Sequence, residues 1–571
     1  MGWFIGVFGQ NKSLKNRISA VCQQPLFTAE NETFYIAGGG HPQTIHFKNR
    51  QESSLGWMAS GIGISIEAEP RFLNKNSWGN EISKGTENLH QKNGHFALAK
   101  WEQNKLELVT DQLGMRNIFI HQGEGFMLFS TRLDWLMKLV PTTINWKKFG
   151  SRWMAINQFS SDSFVNGIQR LSQGGHAIIT PEKVSVTNKR WDYKEQNSSD
   201  EQFKQSLFYF TAIALKENRP LSLGLSGGLD SRTLFATLLS QPDADWRLHT
   251  FGEENHPDLN TAKALNSSYG RQHYVFHEEI PQASQLINML PDFIGQTLFT
   301  STPSHLVGFQ AYQKIADLNL SVVDGGFGEI ARRRFLVSLL LLGKKALLNK
   351  NTDGILPFFR LPRADIFTEA CNAEMMEGFR EELSTEIDAM PEIAETGIEN
   401  WLDLFSIRTR VPNGAGPEQA RSDSHLFNYM PFLQPQLIQQ AINLPLTQRK
   451  EARLFREIIS KEAPELQNVE LVKGSVSYPY WMKDLSSAVW MRLKQKAGKN
   501  YTSTQQEKFL LVLEEYVRDL FYSSSARNFT EYDQAKVQKL ITGFYEDKNT
   551  SFAHELSWLL AFEVFRRNGK T

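Results

Sequence analysis

From Leu221 onward, short apolar segments alternate with segments of helical length, and this alternation restricts the fold more than any other feature of the chain. Apolar strands separated by helices of ~10–15 residues are typical of βαβ units, in which helices cover both faces of a parallel sheet. The predicted elements are, in order, strand 221–225, helix 229–239, strand 247–251, helix 259–269 and strand 273–276. Because ligands of such sheets bind beyond the carboxyl ends of the strands, we expect a binding site at that edge.

The first 190 residues have a different pattern. Short apolar stretches, separated by clusters of Gly, Asn and Pro, predict an antiparallel, β-rich layer with few helices; examples are 33–37, 95–99 and 106–109. The segment 192–200 is polar, and helical periodicities lengthen after it. We therefore predict two domains, 1–195 and 196–571, the second ending in a mostly helical region with helices near 433–441 and 454–461.

Charge and cysteine content exclude several classes of protein. Lys plus Arg equals Asp plus Glu at 62 each, so no net charge draws the chain to nucleic acid or to an anionic membrane. The two cysteines, Cys22 and Cys371, form neither a disulfide framework nor a cysteine-rich zinc site. The apolar run 335–342 is shorter than the ~20 residues of a membrane helix and is predicted to be a core helix. We expect a cytoplasmic protein without nucleic-acid or membrane partners.

The segment 226–231, with the sequence SGGLDS, joins the first predicted strand to the first predicted helix. Its two glycines, Gly227 and Gly228, let backbone N–H groups converge on an anion at a helix N-terminus, and Ser226 and Ser231 add hydroxyl donors. Asp230 is badly placed to touch phosphate directly but well placed to reach it through Mg²⁺. Ser-Gly-Gly alone is more often a simple turn, but the full hexapeptide in this context favours a polyphosphate site that takes ATP and Mg²⁺.

This hexapeptide resembles the Ser-Gly-Gly-x-Asp-Ser fingerprint of the PP-loop ATP pyrophosphatases. Within that superfamily, most of the chain is similar to the asparagine synthetase-like amide ligases. Segments similar to the glutaminase domain of those enzymes are 93–101, 111–116, 129–132 and 164–175. The resemblance implies an α/β protein with two parts: an N-terminal glutaminase-like (Ntn-type) β-rich sandwich, and a C-terminal PP-loop (adenine nucleotide alpha hydrolase-like) parallel-sheet domain with a helical extension.

A second glycine-rich loop supports the same resemblance. The segment 323–329 resembles the loop that ends in Asp-Glu and faces pyrophosphate and substrate in the family, which implies that Asp324, Gly325 and Gly326 contact the nucleotide. Glu329 matches the family's Glu. Gly328 replaces the preceding Asp, a Mg²⁺ ligand in relatives, and Asp324 is the candidate to compensate.

Two further segments match in part. The stretch 411–433 resembles a conserved segment of the family, although Gln434 stands where relatives have Asp, and Val472-Lys473-Gly474 resembles the lysine-glycine pair of the loop that closes over the phosphates. The resemblance implies that the loop 226–231 holds pyrophosphate and that Asp230 ligates Mg²⁺. It also implies that Lys473 neutralises charge in the transition state and that Glu329 orients or deprotonates the amine.

The glutaminase nucleophile is missing. Glutamine-dependent relatives begin Met-Cys-Gly, and this chain has Gly2 at the cysteine position. Cys22 lies in a segment of different sequence and is a poor candidate to replace it. We therefore expect no glutamine hydrolysis.

The sequence thus predicts an AMP- and pyrophosphate-forming amide ligase. A small-molecule or peptide carboxylate would be activated as an acyl-adenylate and attacked by ammonia or an amine; ring-closing β-lactam synthetases and lasso-peptide cyclases are relatives that also lack the cysteine. A nucleotide-binding pseudoenzyme or scaffold and ammonia-dependent asparagine synthesis are the alternatives, and a homodimer is left open. Two other motifs are interpreted as structural: Arg332–Arg334 as a solvated face, and His273 with His277 as strand residues too far apart to share a metal.

Overall fold

The N-terminal half of the computed structural model is a sandwich of two six-stranded antiparallel sheets. The structure describes residues 2–9, 12–22, 24–49, 55–65, 69–498 and 501–569. The strands of the sandwich are β1 Trp3–Gly9, β2 Phe27–Asn31, β3 Phe34–Gly39, β4 Ile45–Asn49, β5 Gly56–Ile64, β6 Asn93–Glu102, β7 Lys105–Thr110, β8 Ile118–Gly123, β9 Phe126–Ser130, β10 Gln169–Leu171, β11 His176–Ile179 and β12 Val184–Thr187. Their orders are β10-β8-β9-β1-β3-β2 and β12-β11-β7-β6-β5-β4.

Alternate residues of the two sheets meet in an apolar core. Phe34 of β3 stacks on Trp101 of β6 with ring centroids 5.0 Å apart, and Phe129 of β9 lies in the same cluster. The helices of this half are α1 Lys12–Val21, α2 Lys75–Ser83, α3 Leu133–Leu139 and α4 Trp146–Met154. Helix α2 covers the outer face of the second sheet, where Trp78 packs edge-on against Phe96. The expected β-rich layer is therefore present, and its two sheets form a sandwich as the resemblance implies.

The second half contains a five-stranded parallel sheet, as the alternation of strands and helices predicts. Its strands are β13 Leu221–Gly224, β14 Trp246–Gly252, β15 His273–His277, β16 Ser321–Val323 and β17 Asn428–Tyr429, in the order β15-β14-β13-β16-β17. The helices between them include α5 Asp200–Lys216, α6 Leu229–Leu239, α7 Pro257–Ser267, α8 Ala283–Thr297 and α9 Phe309–Asp317. The strand order reverses between β13 and β16, which opens a crevice at their carboxyl ends.

The rest of the chain is mostly helical, apart from one hairpin. The helices are α10 Val337–Leu342, α11 Lys344–Leu348, α12 Thr352–Ile355, α13 Glu369–Asp388, α14 Ile393–Thr396, α15 Ile398–Arg410, α16 Gly416–Ser422, α17 Pro435–Asn443, α18 Leu446–Arg449, α19 Arg453–Glu462, α20 Asp484–Lys496, α21 Gln505–Val512, α22 Glu514–Tyr522, α23 Ser524–Arg527, α24 Gln534–Tyr545 and α25 Ala553–Asn568. The hairpin strands are β18 Leu471–Lys473 and β19 Val476–Tyr478. The α/β class is confirmed, and the helices predicted near 433–441 and 454–461 are α17 and α19. None of the described helices has the length and apolar character needed to cross a membrane.

The predicted core helix at 335–342 is wrong in half of its length. Leu339 is fully buried, whereas Leu341 and Leu342 of α10 are 70% and 82% exposed. Apart from Ser338 the run is apolar, so one face of the helix contacts the core and the other face must meet solvent or a ligand.

Buried polar contacts join the two halves of the chain. Gln434 accepts a hydrogen bond from the Gly94 N–H at 2.8 Å and is 1% exposed. Arg116, from the segment after β7, forms a fully buried ion pair with Asp423, just beyond α16. The boundary between 1–195 and 196–571 stays a prediction; β12 ends at Thr187 and α5 begins at Asp200.

Replacing Arg116 by leucine is expected to destabilise the protein by ~3–5 kcal/mol, because the Asp423 carboxylate would stay buried without its partner. Urea or thermal unfolding measures the change. Arg71→Leu is the matched control, since the Arg71 side chain is 73% exposed and lies 4.0 Å from Glu69. Adding Asp423→Leu to Arg116→Leu should recover much of the loss; equal stability of Arg116→Leu and Arg71→Leu would contradict the importance of the pair.

Candidate functional site

A large cavity lies at the carboxyl ends of β13, β14 and β16, at the reversal of strand order. Its volume is about 1410 Å³. Nine of the ten sequence-predicted site residues line it, namely Ser226, Gly228, Asp230, Ser231, Asp324, Gly325, Gly326, Glu329 and Lys473. The tertiary structure thus brings three distant segments of the sequence to one place.

The loop 226–228 turns the chain from β13 into α6 and is held by its own serines. The Ser226 N–H donates to Ser231 Oγ at 3.2 Å, and the Gly228 N–H donates to Ser226 Oγ at 3.2 Å. Gly228 is the N-cap of the 11-residue helix α6, and no side chain caps that helix. The first N–H groups of α6 therefore point toward the cavity with the positive end of the helix dipole, which suits an anion such as a phosphate.

Gly227 does not line the cavity but fixes the loop from behind. Its N–H donates to Asp258 Oδ1 at 2.8 Å, and a Cβ at this position would lie 2.4 Å from Val472 Cγ2. Sequence reasoning missed Asp258, because a lone Asp on the next helix has no motif around it. Glycine is needed here because the Lys473 hairpin packs directly on the loop.

The second glycine-rich loop follows β16 and packs against the N-terminus of α6. A Cβ on Gly325 would lie 2.8 Å from the Ser231 backbone nitrogen, so only glycine permits this approach. The Asp324 carboxylate accepts a hydrogen bond from the Gly326 N–H at 2.6 Å, and Asp324 is exposed toward the cavity. The two loops together form a cradle of backbone and small side chains that a polyphosphate would fit.

Arg332 pairs with the carboxylate of Asp230, the side chain predicted to ligate Mg²⁺. Its Nη2 donates to Asp230 Oδ2 at 2.6 Å, and its Nε lies 2.6 Å from Oδ1. Removal from water raises the pKa of Asp230 to about 6, while the guanidinium opposes that shift. A Cβ on Gly328 would lie 2.4 Å from both Cγ and Oδ1 of Asp230. The loss of a side chain at 328 is therefore what makes room for the ion pair.

The interpretation of Arg332–Arg334 as a solvated face is wrong. Arg332 is paired with Asp230 at the cavity wall, and Arg333 is 4% exposed with its Nη1 3.2 Å from Asp403 Oδ1. A run of three arginines is usually solvated, so the sequence alone favours the wrong alternative. Each of these partners is contributed by a distant segment.

The protein residues at this place do not fit a metal site of their own. Both Asp230 oxygens face Arg332, and position 328 has no carboxylate. Within the described segments, no group of three or more His, Cys, Asp or Glu side chains is arranged to hold a metal ion. The predicted roles of Asp230 and Asp324 as Mg²⁺ ligands stay predictions.

Lys473 and Glu329 are distant from each other in the sequence, but both line the same cavity. Lys473 ends β18, and the Val472 N–H beside it donates to the Gly227 carbonyl at 2.9 Å, which ties the hairpin to the loop. Gly474 has a φ of +60°, the left-handed conformation needed to turn the chain. The roles predicted for both side chains are not tested by their positions alone.

Position 2 has no room for a side chain. A Cβ on Gly2 would lie 2.8 Å from both Ser60 Oγ and the Thr44 carbonyl oxygen. Cys22, the sequence's other candidate, is 1% exposed, and burial raises the pKa of its thiol. Neither position offers a reactive thiolate.

Comparisons with known proteins give only distant likenesses. No protein-family model matches the chain. Amidase chry2 of Gibberella zeae is 23% identical over 163 residues, which is 25% of this chain and 22% of the relative. Amidase chyE of Penicillium rubens is 24% identical over 155 residues, again 25% of this chain and 22% of the relative. The match therefore spans about a fifth of the length of these curated relatives.

Two solved structures illustrate the structural likenesses. The glutamine phosphoribosylpyrophosphate amidotransferase of B. subtilis has a TM-score of 0.23 and 7% identity, covering 57% of this chain and 81% of that structure. The glutamine-dependent NAD⁺ synthetase of Acinetobacter baumannii has a TM-score of 0.19 and 14% identity, covering 37% of this chain and 41% of that structure. Likenesses at these scores assign neither fold nor function.

Proposed function

We propose that this chain is an ATP-dependent amide ligase that activates a carboxylate as an acyl-adenylate, releases pyrophosphate and joins the acyl group to ammonia or an amine. The observation that carries the proposal is the cradle formed by two loops. The serine-glycine loop begins helix α6, which no side chain caps, and it packs through Gly325 on the second glycine-rich loop at the reversal of strand order. This arrangement suits a polyphosphate, and the cavity beside it has room for further substrates.

In this proposal a carboxylate oxygen of the substrate attacks the α-phosphorus of ATP, and the bond to the β-phosphate oxygen breaks. The N–H groups at the start of α6 and the Ser226 and Ser231 hydroxyls hold the leaving pyrophosphate. The Lys473 ammonium compensates the charge that develops on it. Mg²⁺ enters with ATP as part of the substrate, and no step here depends on a protein ligand to it.

The second step joins nitrogen to the acyl group. The nitrogen attacks the acyl carbon, AMP leaves, and Glu329 orients the nucleophile or accepts its proton. Because Gly2 lacks a nucleophile and Cys22 is buried, we infer that ammonia or an amine arrives directly rather than from glutamine. An amine within the same molecule would give a ring.

Nucleotide binding without turnover is the second candidate. It is favoured by one observation, the Arg332 guanidinium on Asp230 where the family resemblance implies Mg²⁺. Ammonia-dependent asparagine synthesis is a special case of the first proposal and predicts activity with aspartate and ammonium.

ATP–pyrophosphate exchange with MgATP separates these functions. We expect exchange that depends on a carboxylic acid and is abolished by Asp230→Ala, because Arg332 would lose the partner that holds it at the cavity wall. The full chain is assayed with aspartate and with a small-molecule extract of the source cells. Asp243→Ala is the matched control, since Asp243 is exposed and lies after α6, outside the cavity lining. Tight ATP binding without exchange under every addition would overturn the ligase in favour of nucleotide binding alone.

A further inference from the structure

The cavity has a second, apolar part that the nucleotide site does not explain. Helix α10 contributes Leu340, Leu341 and Leu342 to the lining, and the segment 482–489 contributes Met482, Ala488 and Val489. These side chains line the same cavity as the loop 226–231. Its volume of about 1410 Å³ exceeds the ~300–1,000 Å³ typical of a site for one drug-sized ligand.

The apolar side chains are exposed to a degree that is unusual for leucine. Leu341 and Leu342 are 70% and 82% exposed, and Val489 of α20 is 52% exposed. Leu493, four residues after Val489 and on the same helical face, is 60% exposed. Scattered exposed leucines need no explanation, but a cluster that continues the wall of a binding cavity indicates a ligand surface.

The backbone leading into α10 is held in an uncommon conformation. Phe327, Arg333 and Leu336 all have left-handed φ values, of +66°, +51° and +50°, although none of them is glycine. Leu336 is the N-cap of α10, so its conformation sets the direction in which the helix leaves the arginine run. Strain of this kind concentrates at ligand sites, where the geometry it imposes serves the ligand.

From these observations, and resting on the proposed function, we propose that the activated carboxylate carries an extended apolar chain, which lies between α10 and α20. The polar cradle and Lys473 suit the triphosphate, so the apolar wall is left for the uncharged part of the acid. The carboxylate must meet the nucleotide first, and a chain attached to it would then run away from the phosphates along the leucines. Ammonia and short polar amines have no apolar part to place there.

The test uses exchange with a series of acids. With acetate, butanoate, octanoate and dodecanoate we expect KM to fall by roughly fourfold for each added methylene until the chain passes Val489, as expected for burial of a CH₂ group. Leu341→Asp combined with Leu342→Asp should raise KM for dodecanoate more than tenfold and leave KM for butanoate nearly unchanged. Leu348→Asp is the control, because Leu348 of α11 is 53% exposed but does not line the cavity.

A fluorescent dodecanoate analogue, titrated without ATP, gives a reading that does not depend on catalysis. Binding that weakens in the double variant and not in Leu348→Asp supports the apolar site even if no exchange is found. Absence of exchange would then count only against the ligase. The apolar-chain proposal is overturned, and the ligase left standing, if aspartate supports exchange, the length of the fatty acid has no effect on KM, and the analogue does not bind. An increase in product formation with apolar amines, without any effect on exchange, would also overturn it. So would binding of the protein to phosphatidylcholine vesicles that is lost in the double variant, if acid chain length has no effect on KM.

Discussion

Lys473→Ala is expected to lower the rate of ATP–pyrophosphate exchange by roughly 10²–10³-fold, the usual loss when one preorganised group that stabilises transition-state charge is removed. Lys473 ends β18 and lines the cavity, on a hairpin that is hydrogen-bonded to the loop 226–228 through Val472. The positive charge of Lys473 is needed most when pyrophosphate leaves, so kcat should fall more than the affinity for ATP. Single-substrate titrations of exchange separate the two effects.

The matched control is Lys461→Ala, at the end of α19, because the Lys461 side chain is 75% exposed and lies outside the cavity lining. Lys473→Arg keeps the charge and should restore part of the rate. If Lys473→Ala exchanged at the rate of the unmodified protein while binding ATP normally, the role assigned to this lysine would be wrong.

Gly328→Asp, which introduces the residue found in the loop that this segment resembles, is expected to reduce exchange by on the order of 10²-fold or more. Addition of a carboxylate to a suspected metal site would ordinarily be expected to help. Here the new Cβ would lie 2.4 Å from Cγ and Oδ1 of Asp230, so the Asp230–Arg332 pair could not keep its geometry. A second carboxylate beside Asp230 would also oppose its ionisation.

Exchange and the thermal unfolding midpoint are measured together, because the loss must occur in folded protein. Gly79→Asp is the control: a Cβ on Gly79 in α2 meets nothing closer than 3.6 Å, the ring of Trp57, and α2 contributes no residue to the cavity lining. Gly328→Ala should lose nearly as much activity as Gly328→Asp, since the collision begins at Cβ. Higher activity of Gly328→Asp than of the unmodified chain would show that a metal, rather than Arg332, belongs on Asp230.

The first three strands of the parallel sheet were predictable to within a few residues, whereas β16 and β17 were not among the predicted strands. Leu221, Ser222 and Leu223 of β13 are buried, and helix α6 begins at Leu229, directly after Gly227 and Gly228. Local patterns of apolar residues and of glycine therefore specify these elements without information from elsewhere in the chain. The N-terminal half was predictable as β-rich, but its division into two sheets depends on which strands pair across the chain.

The sequence failed where a residue's environment comes from distant segments. Arg332–Arg334 looks like an ordinary solvated run until Asp230 and Asp403 are placed beside it, and the apolar run 335–342 looks like core until α10 turns two of its leucines outward. Gln434, a departure from the family pattern, lies outside the cavity and joins the two halves through Gly94.

The sequence by itself determined the first three strands of the parallel sheet, the position of the SGGLDS loop at the start of α6, and the absence of a cysteine at position 2, because each depends on neighbours along the chain. The tertiary structure decided which carboxylates and cations pair, how much space surrounds Gly328, and that leucines line part of the cavity. Pairing, desolvation and close contact are set by atoms brought together from positions hundreds of residues apart, and no local pattern records them.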